Sequence, residues 1–322
     1  MLPPPMVAKL DASVVIPTYN RAPVLARTLE ALGDQEVAPA FEVLVVDDGS
    51  TDATARVVES TAAKLPVPLH YLYQPNRKQG AARNRGARAA RGEILVFLGD
   101  DIVPGPRFLA RHVDHHRRFR DPALAVIGQT TWPPGFRVTP FLDYIGREGW
   151  QFGFSLIEDP KNVPFQFFYT SNVSLDRCFF LASGGFDESF DEYGWEDMEL
   201  AWRLQRAGLR LHYEAEALAW HHHPTDFASF CRRQVQVGRS AWRFYRKHPE
   251  LAEFLGLDRR PRYGRGRRLQ LAAAAWACRL LDPWGPPFLR RFYPDLMTYY
   301  YVRGVEEAIQ RERRSSNREE AS

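Results

Sequence analysis

Asp100 and Asp101 stand side by side directly behind the apolar run 95–98. Four apolar residues of that kind suit a fully buried strand, and Pro104 is expected to stop further pairing. Adjacent carboxylates repel each other, so a positive partner is required, most plausibly a divalent cation. An N-cap pair for the following helix is the plainer alternative. Two other strand ends carry polar groups: Thr18 and Asn20 behind residues 13–17, and Asp47 and Asp48 behind residues 41–46. Glu196 and Asp197 open a helix that Gly208 stops, a position where acids also sit simply to complement the helix dipole. His221, His222 and His223 close the last strand-like segment, and imidazoles at a strand end are able to bind metal.

These groups need a frame. Apolar runs at 13–17, 41–46, 69–73 and 94–98 alternate with helical segments, the third of them opened by a Gly- and Arg-bearing loop at 78–86. A β-α-β-α-β-α-β order at short, regular spacing predicts an α/β fold with a largely parallel sheet covered by helices. The polar strand ends then converge on one edge, where open α/β sheets bind their ligands. A helix at 106–120 and strands at 123–131 and 209–220 follow, with 168–176 reading as a strand entering a helix. Neither Gly-x-Gly-x-x-Gly nor a P-loop follows the first strand, so phosphate would be handled by metal and Arg/Lys. Eleven aromatics lie between Trp132 and Tyr169; they serve as core or as a platform for an apolar or sugar ligand.

The 322 residues, 45% apolar and 25% charged, are those of an ordinary soluble protein of one large domain with an appendage, or of two domains. Three widely spaced cysteines fit free thiols in a reducing cytoplasm. The N-terminus has no apolar core of signal-peptide length, and the run 271–278 is too short to span a bilayer. Residues 226–322 carry 20 Lys/Arg against 11 Asp/Glu, a balance of +9; the whole chain is +4, so residues 1–225 carry −5. The basic part reads as helices broken near Pro249, at 256–266 and at 282–287, with a frayed end at 317–322. Charge alone would suit phospholipid, nucleic acid or a phosphorylated partner. An Arg-rich solvated helical face accounts for the same balance.

Five motifs in order, Val14-Val-Ile-Pro-Thr-Tyr-Asn-Arg21, Val45-Val-Asp-Asp-Gly-Ser-Thr-Asp52, Gly80-Ala-Ala-Arg-Asn-Arg-Gly86, Phe97-Leu-Gly-Asp-Asp101, and Gly184-Gly-Phe-Asp187 followed by Trp195-Glu-Asp197, resemble family 2 glycosyltransferases. The resemblance covers about residues 12–225 and implies a GT-A type fold, a catalytic domain over 1–225 and a separate helical region over 226–322. It implies an inverting enzyme using a nucleotide-diphosphate sugar, with a glycan or lipid-linked acceptor and no nucleic acid. Pro17, Thr18, Tyr19, Asn20 and Arg21 would line the nucleotide pocket, Tyr19 against the base. Asp48, or Asp47, would accept the imide N–H of uracil if the donor is a UDP-sugar. Lys78, Gly80 and Arg83 would lie near nucleotide or phosphates. Asp101 would hold Mn2+ or Mg2+, with His221 as a further ligand and His223 its alternate. Asp197 would be the general base, with Glu196 beside it contacting sugar. Asn172, Gly185 and Trp195 would face the acceptor or the transferred sugar.

One position departs from the pattern. Relatives commonly show Asp-x-Asp at the fourth strand end, and here Gly99 takes the first Asp position. That lowers the negative charge of the site and leaves Asp100 to contact ribose or sugar. A decayed binding module, or a sugar nucleotidyltransferase, would be the competing readings. The C-terminal aromatics interleaved with arginines suggest peripheral attachment to an anionic membrane, on its cytoplasmic face, or else packing against the catalytic domain.

Overall fold

The computed structural model describes residues 9–36, 39–222 and 225–319. His223 lies outside them. The described residues divide into two compact units, the first running to Gly135 and taking in Phe154–Ser189 and the stretch from Asp197 to His222. The second comprises Phe136–Gly153, Phe190–Glu196 and the residues from Thr225 on.

In chain order the first unit holds β1 (Ala12–Thr18), α1 (Ala22–Gly33), β2 (Phe41–Asp47), α2 (Thr54–Ala62), β3 (Leu69–Tyr73), α3 (Lys78–Ala89), β4 (Ile94–Leu98), β5 (Ile102–Pro104), α4 (Phe108–Phe119) and β6 (Leu124–Thr131). After α5 (Pro140–Arg147) in the second unit come β7 (Asn172–Asp176), α6 (Arg177–Ala182), α7 (Glu196–Arg206) and β8 (Arg210–His221). The eight strands form one sheet in the order β3-β2-β1-β4-β7-β6-β8-β5. β1, β2, β3 and β4 pair in parallel, as do β6 and β8, whereas β7 runs antiparallel to both its neighbours. The mixed, mostly parallel sheet expected from the sequence is thus the one found. All seven residues of β1 and of β2 are buried, because helices cover both faces of that half and leave no polar side. Val14, Ile16, Val43, Val45, Val96 and Leu98 meet Leu25 and Leu29 of α1 there.

One local expectation is corrected. The stretch 78–86 is not a loop but the body of α3. Its glycine at position 86 marks close packing: a Cβ there would come within 2.4 Å of Val15 Cγ1. Pro104 ends the pairing, as expected. It is the last residue of β5, opposite Ala219 of β8, at the sheet edge where a missing N–H is tolerated.

Beneath α4, one hydrogen-bond chain fixes its own proton positions. Asn172 Nδ2 donates to the carbonyls of Gln129 (3.2 Å) and Ala217 (3.0 Å), so its Oδ1 must accept from His112 Nε2 at 2.8 Å. Neutral His112 then accepts at Nδ1 from the Ser174 hydroxyl (2.8 Å), which in turn accepts from His116 Nε2 (2.9 Å). Burial pushes both imidazoles down, His112 to about 4 and His116 to about 3.

The second unit is helical, with α8 (Phe227–Lys247), α9 (Arg265–Leu281) and α10 (Tyr293–Glu319) joined by 3-10 turns. Asp226 and Ser229 close a reciprocal capping box on α8. α8 and α10 cross at two glycines: a Cβ on Gly238 would lie 2.0 Å from the Tyr301 carbonyl, and one on Gly304 2.0 Å from that of Val235. Phe141 packs edge-on to Phe227, Phe230 and Tyr293. The end expected to fray continues as helix through Glu319.

Candidate active site

The acid pair sits in the turn between β4 and β5, and a cation from the chain itself meets it. Arg21 Nη1 lies 2.5 Å from Asp101 Oδ2 and 3.2 Å from Asp100 Oδ1. Thr18 donates its hydroxyl to Asp100 Oδ2 at 2.8 Å. Burial raises the Asp100 carboxyl above the usual carboxylate range, and repulsion from Asp101 adds to it. Burial works against Asp101 too, but the His221 hydrogen bond and charge, with Arg21 behind them, hold it below that range. His221 arrives from 120 residues away by register: β5 pairs antiparallel with the end of β8, Ile102 opposite His221. Its Nε2 lies 3.4 Å from Asp101 Oδ2, with the Trp132 ring 5.5 Å away.

Gly99 has a steric reason. A Cβ there would stand 2.8 Å from Ile102 Cγ1 and 3.1 Å from Asp101 Oδ1. An aspartate at this position would displace the carboxylate it was meant to assist.

The β1 and β2 ends are laced together. Asn20, at φ +53, accepts the Thr51 N–H at 2.7 Å on its side-chain oxygen and donates its own N–H to Ser50 Oγ at 2.8 Å. Asp52 accepts from Ala22 N at 3.1 Å. Asn20 therefore fixes the backbone of the turn at residues 50–52 against the end of β1. Tyr19 projects from the same turn with 49% of its surface exposed. Asp47 accepts from Tyr71 Oη and Ser50 N, both at 2.7 Å. Asp48 accepts Gln74 Nε2, Arg77 N and Lys78 N, each at 2.8 Å, and so caps the start of α3 across the loop. Lys78 contributes a backbone N–H there at φ +69, with its side chain exposed.

Asp197 is held from a different direction. Thr170 donates its N–H to Oδ2 at 3.0 Å and its hydroxyl to Oδ1 at 2.7 Å. Arg83, nearly fully buried under the Phe186 ring, brings Nη1 to 3.6 Å. The next residue, Ser171, accepts the Gly99 N–H at 3.2 Å. That backbone bond ties the Asp197 cradle to the turn carrying Asp100 and Asp101. The structure thus brings together Thr18, Arg21, Asp100, Asp101 and His221, and links Asp197, with Arg83 beside it, to their turn through the Ser171–Gly99 bond.

Two expected sugar contacts, Asn172 and Gly185, are not brought to this cluster. Asn172 is fully buried in β7, with both ends of its amide spent on the chain beneath α4. Gly185, at φ +71, sits in a turn held by Asn84 and by Arg203 Nη2, which reaches its carbonyl at 2.7 Å. Gly80 packs against the neighbouring Phe186. Trp195 donates Nε1 to the Val237 carbonyl at 3.0 Å and packs on Phe244 and Phe254 within the second unit. Glu196 is buried as the first residue of α7. Thr170 was not expected; its only signal was its hydroxyl in an otherwise aromatic stretch.

Residues 13–172 match the family model described as glycosyl transferase family 2. Over 295 residues the chain is 32% identical to validoxylamine A glucosyltransferase from Streptomyces hygroscopicus subsp. limoneus, covering 82% of this chain and 63% of that protein. The same identity and the same share of this chain hold for the protein of that name from subsp. jinggangensis, of which 68% is covered. The chain belongs to glycosyl transferase family 2. It spans about two thirds of the length of these two family members. In fold, this family 2 chain is similar to the mannosyltransferase PcManGT from Pyrobaculum calidifontis, solved in complex with GDP-Man and Mn2+, with TM-score 0.63, 22% identity, and 94% and 88% of the two chains covered. The GT-A architecture implied by the motifs is the one present.

Family membership raises the question of a metal. Asp101 and His221 offer one hard oxygen and one imidazole from converging strands, a donor pair suited to Mn2+ or Mg2+. Among the described residues no group of three or more His, Cys, Asp or Glu is arranged to hold an ion. Two protein donors would fill only a third of an octahedral shell, leaving an anionic ligand and water to complete it, and Arg21 now occupies the Asp101 carboxylate.

Proposed function

We propose that this chain transfers a sugar from a nucleotide-diphosphate donor, UDP-sugars first, to a hydroxyl of a growing glycan, glycolipid or other surface-polysaccharide precursor, with inversion. The observation that carries the reading is the carboxylate of Asp197, fixed by Thr170 and Arg83 beside the turn of Asp100 and Asp101. A base aligned by two hydrogen bonds is ready to take a proton in one direction. As the acceptor oxygen forms its bond to the anomeric carbon, the bond from that carbon to the diphosphate oxygen breaks, and the hydroxyl proton passes to Asp197. Attack from the face opposite the diphosphate inverts the centre.

Asp101 and His221 would hold Mn2+ or Mg2+, which supplies neutralisation of the diphosphate charge. Arg21 would turn from Asp101 to the phosphates, and Thr18 would keep Asp100 directed at ribose or sugar. Exposed Tyr19 offers its ring to the base. The free lone pairs of Asp48, or of Asp47, would read the uracil imide, while Lys78 reaches the phosphates. Glu196 would contact a sugar hydroxyl. The relatives' name makes a glucosyl donor the first to try. The basic C-terminal region would bring the chain into peripheral contact with the cytoplasmic face of a membrane bearing a lipid-linked acceptor.

The test is release of UDP, GDP or dTDP from a panel of nucleotide sugars with Mn2+, wild type beside Asp197→Asn. Equal turnover by both would overturn the assignment of Asp197. A binding module without catalysis is the second reading, favoured by Arg21 already neutralising the acid pair. Calorimetry with UDP separates the two: affinity indifferent to Mn2+ belongs to the module.

A further inference from the structure

The α9 helix has two apolar faces where one would suffice for packing. Leu271, Ala275 and Cys278 point inward and are buried. On the opposite side Leu269, Trp276 and Leu280, spaced seven and four apart, form a stripe within about 40° of arc, and they are 73%, 68% and 49% exposed. Past the helix end, Trp284 and Phe288 are also large and exposed, at 72% and 50%. Scattered exposed apolar residues are ordinary, but five large ones along one short segment are not.

The charge around the stripe has one sign. Residues 259–281 contain seven arginines and no acid, and the single acid that follows before Pro294, Asp282, is buried. Arg267 and Arg268 reach carboxylates on α10. Arg260, Arg262, Arg265 and Arg279 have no carboxylate within 4 Å among the described residues, and Arg291 rests on the Phe292 ring. Among the described residues no helix is long and apolar enough to cross a membrane. A second copy of the chain would set the same arginine fringe against itself. An anionic bilayer supplies both missing partners: acyl chains for Trp276 and its neighbours, phosphates for arginines whose long stems let the charge reach the headgroups.

We propose that the outer face of α9, together with Trp284 and Phe288, docks on an anionic phospholipid bilayer. This names the surface for the membrane contact put forward above and stands independently of Asp197.

The full chain is floated with vesicles of phosphatidylcholine containing 30% phosphatidylglycerol, and with phosphatidylcholine alone, at 0.1 and 0.5 M NaCl. The expected result is at least tenfold tighter binding to the anionic vesicles at low salt, with a blue shift of tryptophan emission. Trp276→Ser with Trp284→Ser should weaken it at least tenfold and leave the melting temperature unchanged, since both rings are exposed. Arg265→Gln with Arg279→Gln and Arg291→Gln should remove most of the salt dependence. Asp197→Asn should bind like wild type, so a failure of catalysis and a failure of docking are told apart. No binding to anionic vesicles, equal binding to both vesicle types, or a dimer in sedimentation that the tryptophan variant dissociates would each overturn the proposal.

Discussion

Thr170 donates its backbone N–H and its hydroxyl to the two oxygens of Asp197, at 3.0 and 2.7 Å. Ser171, the residue after it, binds the Gly99 N–H through its carbonyl. One loop thus aligns the proposed base and anchors the acid pair, so a shift in the loop is felt at both. Removing a positioned base costs on the order of 10²–10⁴ in rate, so Asp197→Asn is expected to lose turnover by about that factor while donor affinity, read by calorimetry, stays within about twofold.

Thr170→Val removes only the hydroxyl and keeps the backbone bond. A single hydrogen bond to a charged group is worth roughly 1.5–3 kcal/mol, so kcat should fall about tenfold or somewhat more with KM little changed. Thr170→Ser should restore most of it. Steady-state kinetics of the three proteins checks the series, and a Thr170→Val enzyme as active as wild type removes Thr170 from the account.

Arg21 holds Asp101 Oδ2, the oxygen proposed above as a metal ligand. In Arg21→Ala the two carboxylates lose their partner, which costs about 1–3 kcal/mol given that Arg21 is partly exposed. Melting temperature measured in EDTA should fall, and added Mn2+ should raise it more in the variant than in wild type. An equal Mn2+ response in both would show that the two cations do not share the site.

Gly99→Asp adds a first carboxylate to the Gly99-Asp100-Asp101 turn, yet its Cβ would meet Ile102 Cγ1 at 2.8 Å. Overpacking of this kind costs roughly 1–3 kcal/mol. Urea denaturation should show that loss, and Mn2+ affinity should not improve. Tighter Mn2+ binding by this variant would count against the steric explanation.

Stability should fall in mild acid because of His112 and His116. Their folded pKa values, about 4 and about 3, lie below the 6.5 of the free side chain. Between those values the unfolded chain binds protons that the folded chain refuses, so stability is full above pH 6.5 and drains away as pH falls toward 4. From pH 7 to pH 5 the loss is roughly 3 kcal/mol for the pair, and urea midpoints at the two pH values measure it. His112→Gln should flatten the dependence while lowering stability at pH 7.

Much of this was legible in the sequence. Strand periodicity and polar strand ends located β1 to β4 within a residue or two, because buried parallel strands must be apolar throughout and their ligand ends need not be. The ordered motifs pointed to the family. Three things were not legible. Asn172 and Gly185 look like ligand residues in a motif but are spent on packing, since a buried amide must satisfy both its ends and a turn needs its glycine. The helix over 78–86 was hidden by glycines that serve close packing rather than freedom. And the partner of the acid pair, assigned to a metal, is in this structure Arg21.

What the sequence by itself determined is the inventory: an α/β sheet with acids at its strand ends, a later carboxylate at a helix start, and a basic helical region. Only the tertiary structure decided which of these meet. His221 reaches Asp101 because β5 pairs with β8, and Asp197 is aimed by a threonine 27 residues earlier. The two faces of α9 separate into one that packs and one that does not. Such choices depend on strand register and long-range contact, and local preference along a chain carries no record of which distant residue will be its neighbour.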